Sequence, residues 1–177
     1  MKNISAGGDG MGTVTAVCGK ICCGKTFFSS RLIRENGGVL LSCDEISTMI
    51  FRQQLGEKHD ETMLLVKEYL HKKAAEIALA GCDVVLDWGF WAKAERRAVT
   101  EYYRSRGVAL DWHYISITDE EWFMNIAERN EKIESGLSQD YYIDQGLLIK
   151  AFTLFEEPDG EELKELGFTV HEFTREG

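Results

Sequence analysis

Short apolar runs and longer segments of helical periodicity alternate along almost the whole chain. The apolar runs predict β-strands over residues 13–17, 39–43, 108–117 and 168–173, and a further run inside 83–91 stops at Asp87. Apolar residues at intervals of three and four, as in Met63, Val66 and Leu70, predict helices between the strands. These helices are expected over residues 25–36, 61–80, 92–106, 119–129 and 143–157, with a short helix and a loop within 46–60.

This alternation of strands and helices is typical of α/β proteins with a parallel sheet. Because the predicted strands are continuous apolar runs, we expect helices to cover both faces of the sheet. No internal repeat or linker interrupts the pattern, so the 177 residues predict one three-layer α/β domain over residues 13–177. Residues 1–12 are Gly-rich and polar and are predicted to form a disordered tail.

The segment between the first strand and the first helix reads GKICCGKT and matches the P-loop pattern G-x-x-x-x-G-K-[ST]. Its glycines permit backbone angles that a Cβ would forbid, so the loop N–H groups converge on an anion beside the positive end of the helix. Lys25 and Thr26 supply a cation for the outer phosphates and a hydroxyl ligand for Mg²⁺. The alternative is a tight strand–helix turn with a coincidental lysine. The predicted nucleotide-binding residues are Gly19, Lys20, Ile21, Cys22, Cys23, Gly24, Lys25 and Thr26.

Two acidic residues follow predicted strands, at the sheet edge where parallel α/β proteins bind ligands. Asp87 ends a buried apolar run, which predicts a carboxylate that orders the magnesium shell together with Thr26. Asp44 follows the second strand, and we expect it to accept the proton of an acceptor hydroxyl or to orient that hydroxyl. The structural alternative for both is a helix N-cap, and it is stronger for Asp44 because DEISTMIF can begin a helix.

Phosphoryl transfer needs cations beyond Lys25 to neutralise charge in the transition state. Arg129 ends the helix after the fourth strand, and the polar stretch that follows predicts a mobile lid over about residues 129–144. Lys132 is placed to assist Arg129. A solvated helix end, where arginine is common, is the alternative for Arg129.

Four other residues are candidates for contact with a substrate. Arg52 and Arg96 are further cations that could hold it. Trp88 and Trp91 directly follow Asp87 and could stack on a sugar or a base, with burial in the core as the alternative.

Composition narrows the range of partners and compartments. The net charge of −10 and the pI of about 4.9 argue against long nucleic acid as a ligand. No apolar run approaches the roughly 20 residues that cross a bilayer and no signal peptide is present, so we expect a cytoplasmic protein. The five cysteines lack metal-binding spacing and are expected to be reduced. Because a helix N-terminus lowers the pKa of a thiol, we expect alkylation of Cys22 and Cys23 to block nucleotide binding.

Five segments together give the chain a family resemblance: GKICCGKT, LLSCDEI, VVLDWGFW, ERNEKI and LFEEPDGEE, in that order. They resemble the small P-loop kinases related to zeta toxins, chloramphenicol phosphotransferase and polynucleotide kinase, many of which are described as AAA-family ATPases. The resemblance implies a P-loop NTPase fold with sheet order 2-3-1-4-5, and transfer of phosphate from ATP with Mg²⁺ to a hydroxyl. It also implies that Asp44 activates the acceptor, that Arg129 is the lid arginine, and that the segment around Pro158 borders adenine.

Two positions depart from that group. Where the lid often has a second arginine, the nearest cation here is Lys132, and Arg52 lies eight residues after Asp44 rather than close to it. The leading hypothesis is a kinase for a small molecule such as a nucleoside, a sugar derivative or an antibiotic. ATP is favoured over GTP because no N-K-x-D motif is present. The alternatives are a 5′-hydroxyl nucleic-acid kinase and an ATP-binding regulatory protein with slow or no hydrolysis.

Overall fold

A single parallel sheet of five strands organises the protein, and the computed structural model describes residues 10–52, 54–138 and 140–173. The strands are β1 (Thr13–Cys18), β2 (Val39–Ser42), β3 (Val84–Asp87), β4 (Ala109–Ser116) and β5 (Thr169–Glu172). They lie in the order β2-β3-β1-β4-β5, and every neighbouring pair is parallel. Both the predicted three-layer α/β class and the sheet order implied by the resemblance are therefore confirmed.

Helices follow the strands along the chain. They are α1 (Lys25–Asn36), α2 (Cys43–Met49), α3 (His59–Leu79), α4 (Lys93–Arg104), α5 (Asp119–Glu134), α6 (Gln145–Leu154) and α7 (Gly160–Glu165), with a 3-10 helix at Gly56–Lys58.

The helices bury both faces of the sheet. Val84 and Leu86 of β3 face a core that includes residues of α3 and α4, whereas Val85 faces Phe28 of α1. This alternation within a fully apolar strand is what a sheet covered on two sides requires.

The register brings three strand ends to one place. Asp87 lies opposite Val17 of β1 on one side and opposite Ser42 of β2 on the other. The loop after β1 and the helix after β2 therefore both begin beside the Asp87 carboxyl, at the carboxyl edge of the sheet.

Three helix boundaries differ from the sequence prediction by more than two residues. Helix α2 begins directly after β2, because the Ser42 hydroxyl accepts a hydrogen bond from the Glu45 N–H and caps the helix. Helix α5 continues to Glu134, so Arg129 lies inside it rather than at its end. Helix α6 ends at Leu154, and α7 is a separate helix that the sequence analysis missed.

The N-terminal boundary is set by packing at Gly12, which the sequence analysis assigned to the tail. Gly12 is buried, its N–H donates to the Ala78 carbonyl at 2.7 Å, and a Cβ here would collide with the Cys82 carbonyl. The packed domain therefore includes Gly12, while residues 1–9 of the predicted tail lie outside the described residues. Among the described residues, no helix combines the length and apolarity needed to span a membrane.

Candidate active site

The loop between β1 and α1 folds back on itself around a central space. A Cβ on Gly19 would lie 2.6 Å from the Cys23 Sγ and 3.0 Å from the Ile115 carbonyl oxygen, so only glycine fits there. Gly24 has a φ of 92° and directly precedes α1. The Lys25 Nζ lies inside the curve and donates to the Lys20 carbonyl at 2.5 Å. This is the arrangement of converging backbone that binds phosphate in front of a helix N-terminus.

Helix α5 holds the outer side of this loop. The Trp122 indole N–H donates to the Ile21 carbonyl at 2.6 Å, and the Asn125 amide donates to the Cys22 carbonyl at 3.0 Å. The Lys20 ammonium pairs with Asp119 at 2.8 Å. The sequence analysis missed Trp122 and Asn125 as supporting residues. Their spacing with Arg129 (i, i+3, i+7) places all three on one helix face, and this was the available signal.

Asp87 is buried beside the loop and faces two hydroxyl groups. It accepts a hydrogen bond from Ser29 at 3.4 Å, and the Thr26 hydroxyl is close enough to lower its pKa. Burial raises the pKa of Asp87 above its usual range, the Asp44 charge adds to the rise, and Thr26 and Lys25 oppose it. A carboxylate and a hydroxyl are the hard oxygen donors that Mg²⁺ prefers, so these residues fit the predicted metal. The described residues hold no group of three or more His, Cys, Asp or Glu that could bind a metal without the nucleotide's own oxygens.

Asp44 lies in the first turn of α2, two residues after Ser42, and is exposed. Since Ser42 is the N-cap, the capping alternative for Asp44 is wrong. Asp44 is close enough to Asp87 for its charge to raise the pKa of that carboxyl. The structure thus places the two predicted carboxylates at the same sheet edge.

Arg129 reaches the phosphate loop from the middle of α5. Its guanidinium donates to the Cys22 Sγ at 3.6 Å and to the Tyr141 carbonyl at 3.1 Å. Lys132, the predicted second cation, instead pairs with Glu128 at 2.7 Å on the exposed side of the helix. Within the described part of the lid segment, Arg129 is the cation that contacts the loop.

Arg96 does not lie in the site. Its side chain is 0% exposed, forms a bidentate pair with Glu162 at 2.7 and 2.9 Å, and donates to the Phe90 and Trp91 carbonyls. This burial leaves no surface for a substrate, so we correct the assignment of Arg96 from substrate binding to a structural role. The sequence analysis also missed Glu162.

The two tryptophans predicted to stack on a substrate lie in different environments. Trp88 is 4% exposed and packs on His71 and Phe90 in the core, so its assignment as a stacking residue is likewise corrected. Trp91 is half-buried and packs in one cluster with Ile21 and Cys22 of the loop.

Arg52 and Pro158 have no contact with the loop among those the structure gives for them. Arg52 is exposed, beyond the end of α2. Pro158 is buried between α6 and α7. Their roles with substrate and adenine stay predictions.

The two loop thiols are less acidic than expected. Burial raises the pKa of both Cys22 and Cys23, although Arg129 lowers that of the first and Lys25 lowers that of the second. Cys23 is 0% exposed. The expected lowering of thiol pKa by the helix N-terminus is therefore wrong, because desolvation outweighs it.

Comparison with known proteins identifies the family. A family model described as an AAA domain matches residues 14–140. Similar solved structures include a gluconokinase from Sinorhizobium meliloti 1021, with 13% identity over 94% of this chain and 85% of that chain and a TM-score of 0.61. The Mycobacterium tuberculosis APS kinase CysC, in complex with AMPPNP and APS, has 14% identity over 94% and 91% and a TM-score of 0.61. Chaetomium thermophilum Kti12, in complex with ADP-AlF3, has 14% identity over 90% and 89% and a TM-score of 0.67. No curated protein sequence matches significantly. The chain belongs to the AAA domain family and has the P-loop fold of these kinases, as its motifs indicated.

Proposed function

We propose that the protein is a kinase that transfers the γ-phosphate of ATP to a hydroxyl group of a small molecule. The observation that carries the proposal is the convergence at one sheet edge of a phosphate loop with its lysine, the buried Asp87 near the Thr26 hydroxyl, and a second carboxylate, Asp44. A protein that only bound nucleotide would not need the second carboxylate. Two of the similar structures hold nucleotides, AMPPNP and ADP-AlF3, which supports the same assignment for the loop.

Each residue has a separate role in this proposal. Backbone N–H groups of residues 19–24 bind the β-phosphate, and Lys25 leaves the Lys20 carbonyl to bind the outer phosphates. Thr26 and Asp87 would hold Mg²⁺, which would supply charge neutralisation on the phosphates. Arg129 stabilises charge on the transferred group, and Asp44 orients the acceptor hydroxyl and accepts its proton.

The charges near the start of α2, on the acceptor side of the proposed site, favour a neutral or cationic acceptor over a nucleic-acid end. Lys67 of α3, whose charge acts on Cys43 next to Asp44, pairs with Glu95 of α4 at 2.6 Å. An acceptor that carries phosphates would have to compete with Glu95 for this lysine, in a chain whose net charge is already −10. The runner-up, a 5′-hydroxyl nucleic-acid kinase, has the same chemistry but lacks this support.

The compartment proposed is the cytoplasm. All five cysteines are unpaired, including the buried Cys18 and Cys43, which supports a reducing environment.

The test is transfer from γ-labelled ATP with Mg²⁺ across acceptors that differ in charge: nucleosides, sugars, aminoglycosides and 5′-hydroxyl oligonucleotides. Lys25→Ala should abolish nucleotide binding, and Asp44→Asn should abolish transfer while nucleotide binding is kept. Glu45→Gln is the matched control, because it makes the same change one residue away in α2 and should retain transfer.

Each outcome decides between the hypotheses. Labelled oligonucleotide as the only product would favour the end kinase. Tight ATP binding without any product, and without an effect of Asp44→Asn on ATP turnover, would favour the regulatory ATP-binding protein.

A further inference from the structure

Tyr141 lies between the two halves of the proposed active site. Its hydroxyl forms a hydrogen bond with the hydroxyl of Ser47, a buried residue of α2. Its carbonyl accepts a hydrogen bond from Arg129 at 3.1 Å. One residue thus contacts both the helix that carries Asp44 and the arginine that reaches the phosphate loop.

The segment that carries Tyr141 is fixed firmly to α5. The Asn130 side chain donates to the Ile143 carbonyl at 2.9 Å and accepts from the Ile143 N–H at 2.9 Å. The Ile143 side chain is buried against Trp122 and Ile126 of the same helix. Because both the backbone and the side chain of this segment are held, Tyr141 must move together with α5.

The contact on the other side acts on Asp44. Ser47 lies three residues after Asp44, so both are on one face of a helix of only two turns. Such a short helix has little stability of its own, and its orientation depends on its tertiary contacts. The Ser47–Tyr141 hydrogen bond is partly buried, whereas the ion pair of Asp60 with Lys150 is exposed, contributes little and joins α3 to α6 rather than to α2.

We infer that Tyr141 is a positioning residue that couples nucleotide binding at Arg129 to the placement of Asp44, through its hydrogen bond with Ser47. This inference depends on the proposed function, since it requires a nucleotide on the loop. The Arg129 guanidinium donates to the Cys22 Sγ at 3.6 Å. A γ-phosphate is a much stronger acceptor than a thiol, so Arg129 turns to it on binding. Because Tyr141 is held to the helix that carries Arg129, it moves with that helix when Arg129 engages the phosphate, and its hydrogen bond with Ser47 brings α2 into one orientation.

The test is hydrogen exchange of the α2 amides with and without Mg²⁺ and the non-hydrolysable analogue AMPPNP. In the wild type, AMPPNP should slow exchange both in the phosphate loop and in α2. In Tyr141→Phe and in Ser47→Ala the loop should still be protected, while the response of α2 is lost. The two changes remove one interaction, so the double variant should lose no more than either single variant. In the transfer assay, kcat should fall and the KM for ATP should stay unchanged.

Tyr142→Phe is the matched control. The Tyr142 hydroxyl bonds to Glu134 at 3.0 Å on the exposed side of the lid segment, so its loss should leave α2 exchange as in the wild type. An α2 response that persists in Tyr141→Phe would overturn the inference. Absence of loop protection in the wild type would refute nucleotide binding, and the coupling would fall with it. The link between Tyr141 and Ser47 is tested separately by α2 exchange without ligand, which Tyr141→Phe and Ser47→Ala should accelerate and Tyr142→Phe should not.

Discussion

The buried pair of Arg96 and Glu162 should matter for the stability of the fold and should make no contact with substrate. Both side chains are 0% exposed, and the two residues are 66 positions apart in the chain. Arg96 also donates to the carbonyls of Phe90 and Trp91 at 2.8 and 3.0 Å, which fixes the loop that follows Asp87. Glu162→Gln keeps the shape of the side chain but leaves the Arg96 charge buried without its counterion.

The expected cost is large for a protein of this size. Removing one partner of a buried ion pair destabilises by about 3–5 kcal/mol. A domain of this length unfolds with a free energy of roughly 5–15 kcal/mol, and each kcal/mol lowers Tm by about 2–4 °C. Glu162→Gln should therefore lower Tm by roughly 6–20 °C. Arg96→Met together with Glu162→Leu removes both charges and should be more stable than either single variant.

Urea unfolding followed by tryptophan fluorescence measures this effect, and the neighbouring pair is the control. Arg97 and Glu165 are each about half-exposed and form an ion pair at 2.6 Å. They join the same two helices, since Arg97 follows Arg96 on α4 and Glu165 lies three residues after Glu162 on α7. Glu165→Gln should change the unfolding free energy by less than about 1 kcal/mol. Equal stabilities of Glu162→Gln and Glu165→Gln would refute the reasoning. A stable Arg96→Met protein that binds nucleotide normally but transfers no phosphate would restore Arg96 to the substrate site.

Three further outcomes are expected. Gly19→Ala should abolish nucleotide binding in a titration with a fluorescent ATP analogue while the protein remains folded by circular dichroism, because the added Cβ would meet the Cys23 Sγ at 2.6 Å. Burial lowers the pKa of His71 to about 4, so as the pH falls below about 6.5 the unfolded chain is protonated before the folded protein, and the folded protein loses stability. Between pH 7 and pH 5 this loss is about 2 kcal/mol, and it should be absent in His71→Phe when the unfolding free energies are compared from urea midpoints. Iodoacetamide should modify Cys22 at pH 7 more slowly than a free thiol, because burial raises its pKa, and AMPPNP should slow the reaction further; rapid labelling that nucleotide does not affect would contradict this account.

The nucleotide side of the site could be predicted from sequence because its geometry is local. Phosphate is bound by consecutive backbone groups, so the requirement for glycine at position 19 and for Lys25 and Thr26 is visible in eight adjacent residues. Asp87 was predictable for a similar reason, since it ends an uninterrupted buried strand and parallel strands end at the same edge.

Some misses had a readable local signal. Asp159 caps α7 by accepting from the N–H groups of Glu161 and Glu162, and the sequence D-x-x-E after Pro158 is a start signal for a helix. In the same way, Ser42 followed by acidic residues marks the start of α2.

The acceptor side could not be predicted from local sequence, because its residues come from separate elements that only the fold brings together. Lys67 meets Glu95 across two helices, and Ser47 meets Tyr141 across 94 positions in the chain. Arg96 illustrates the consequence. In the sequence it follows the strand that ends at Asp87 and so was a candidate for substrate binding, and only the distant Glu162 shows that its charge is already neutralised. A cation in such a protein can therefore be assigned to the substrate only after its carboxylate partners are known. By that criterion Arg129, whose guanidinium contacts a thiol and a carbonyl and lies 4.0 Å from the exposed Asp140, remains available for an incoming phosphate.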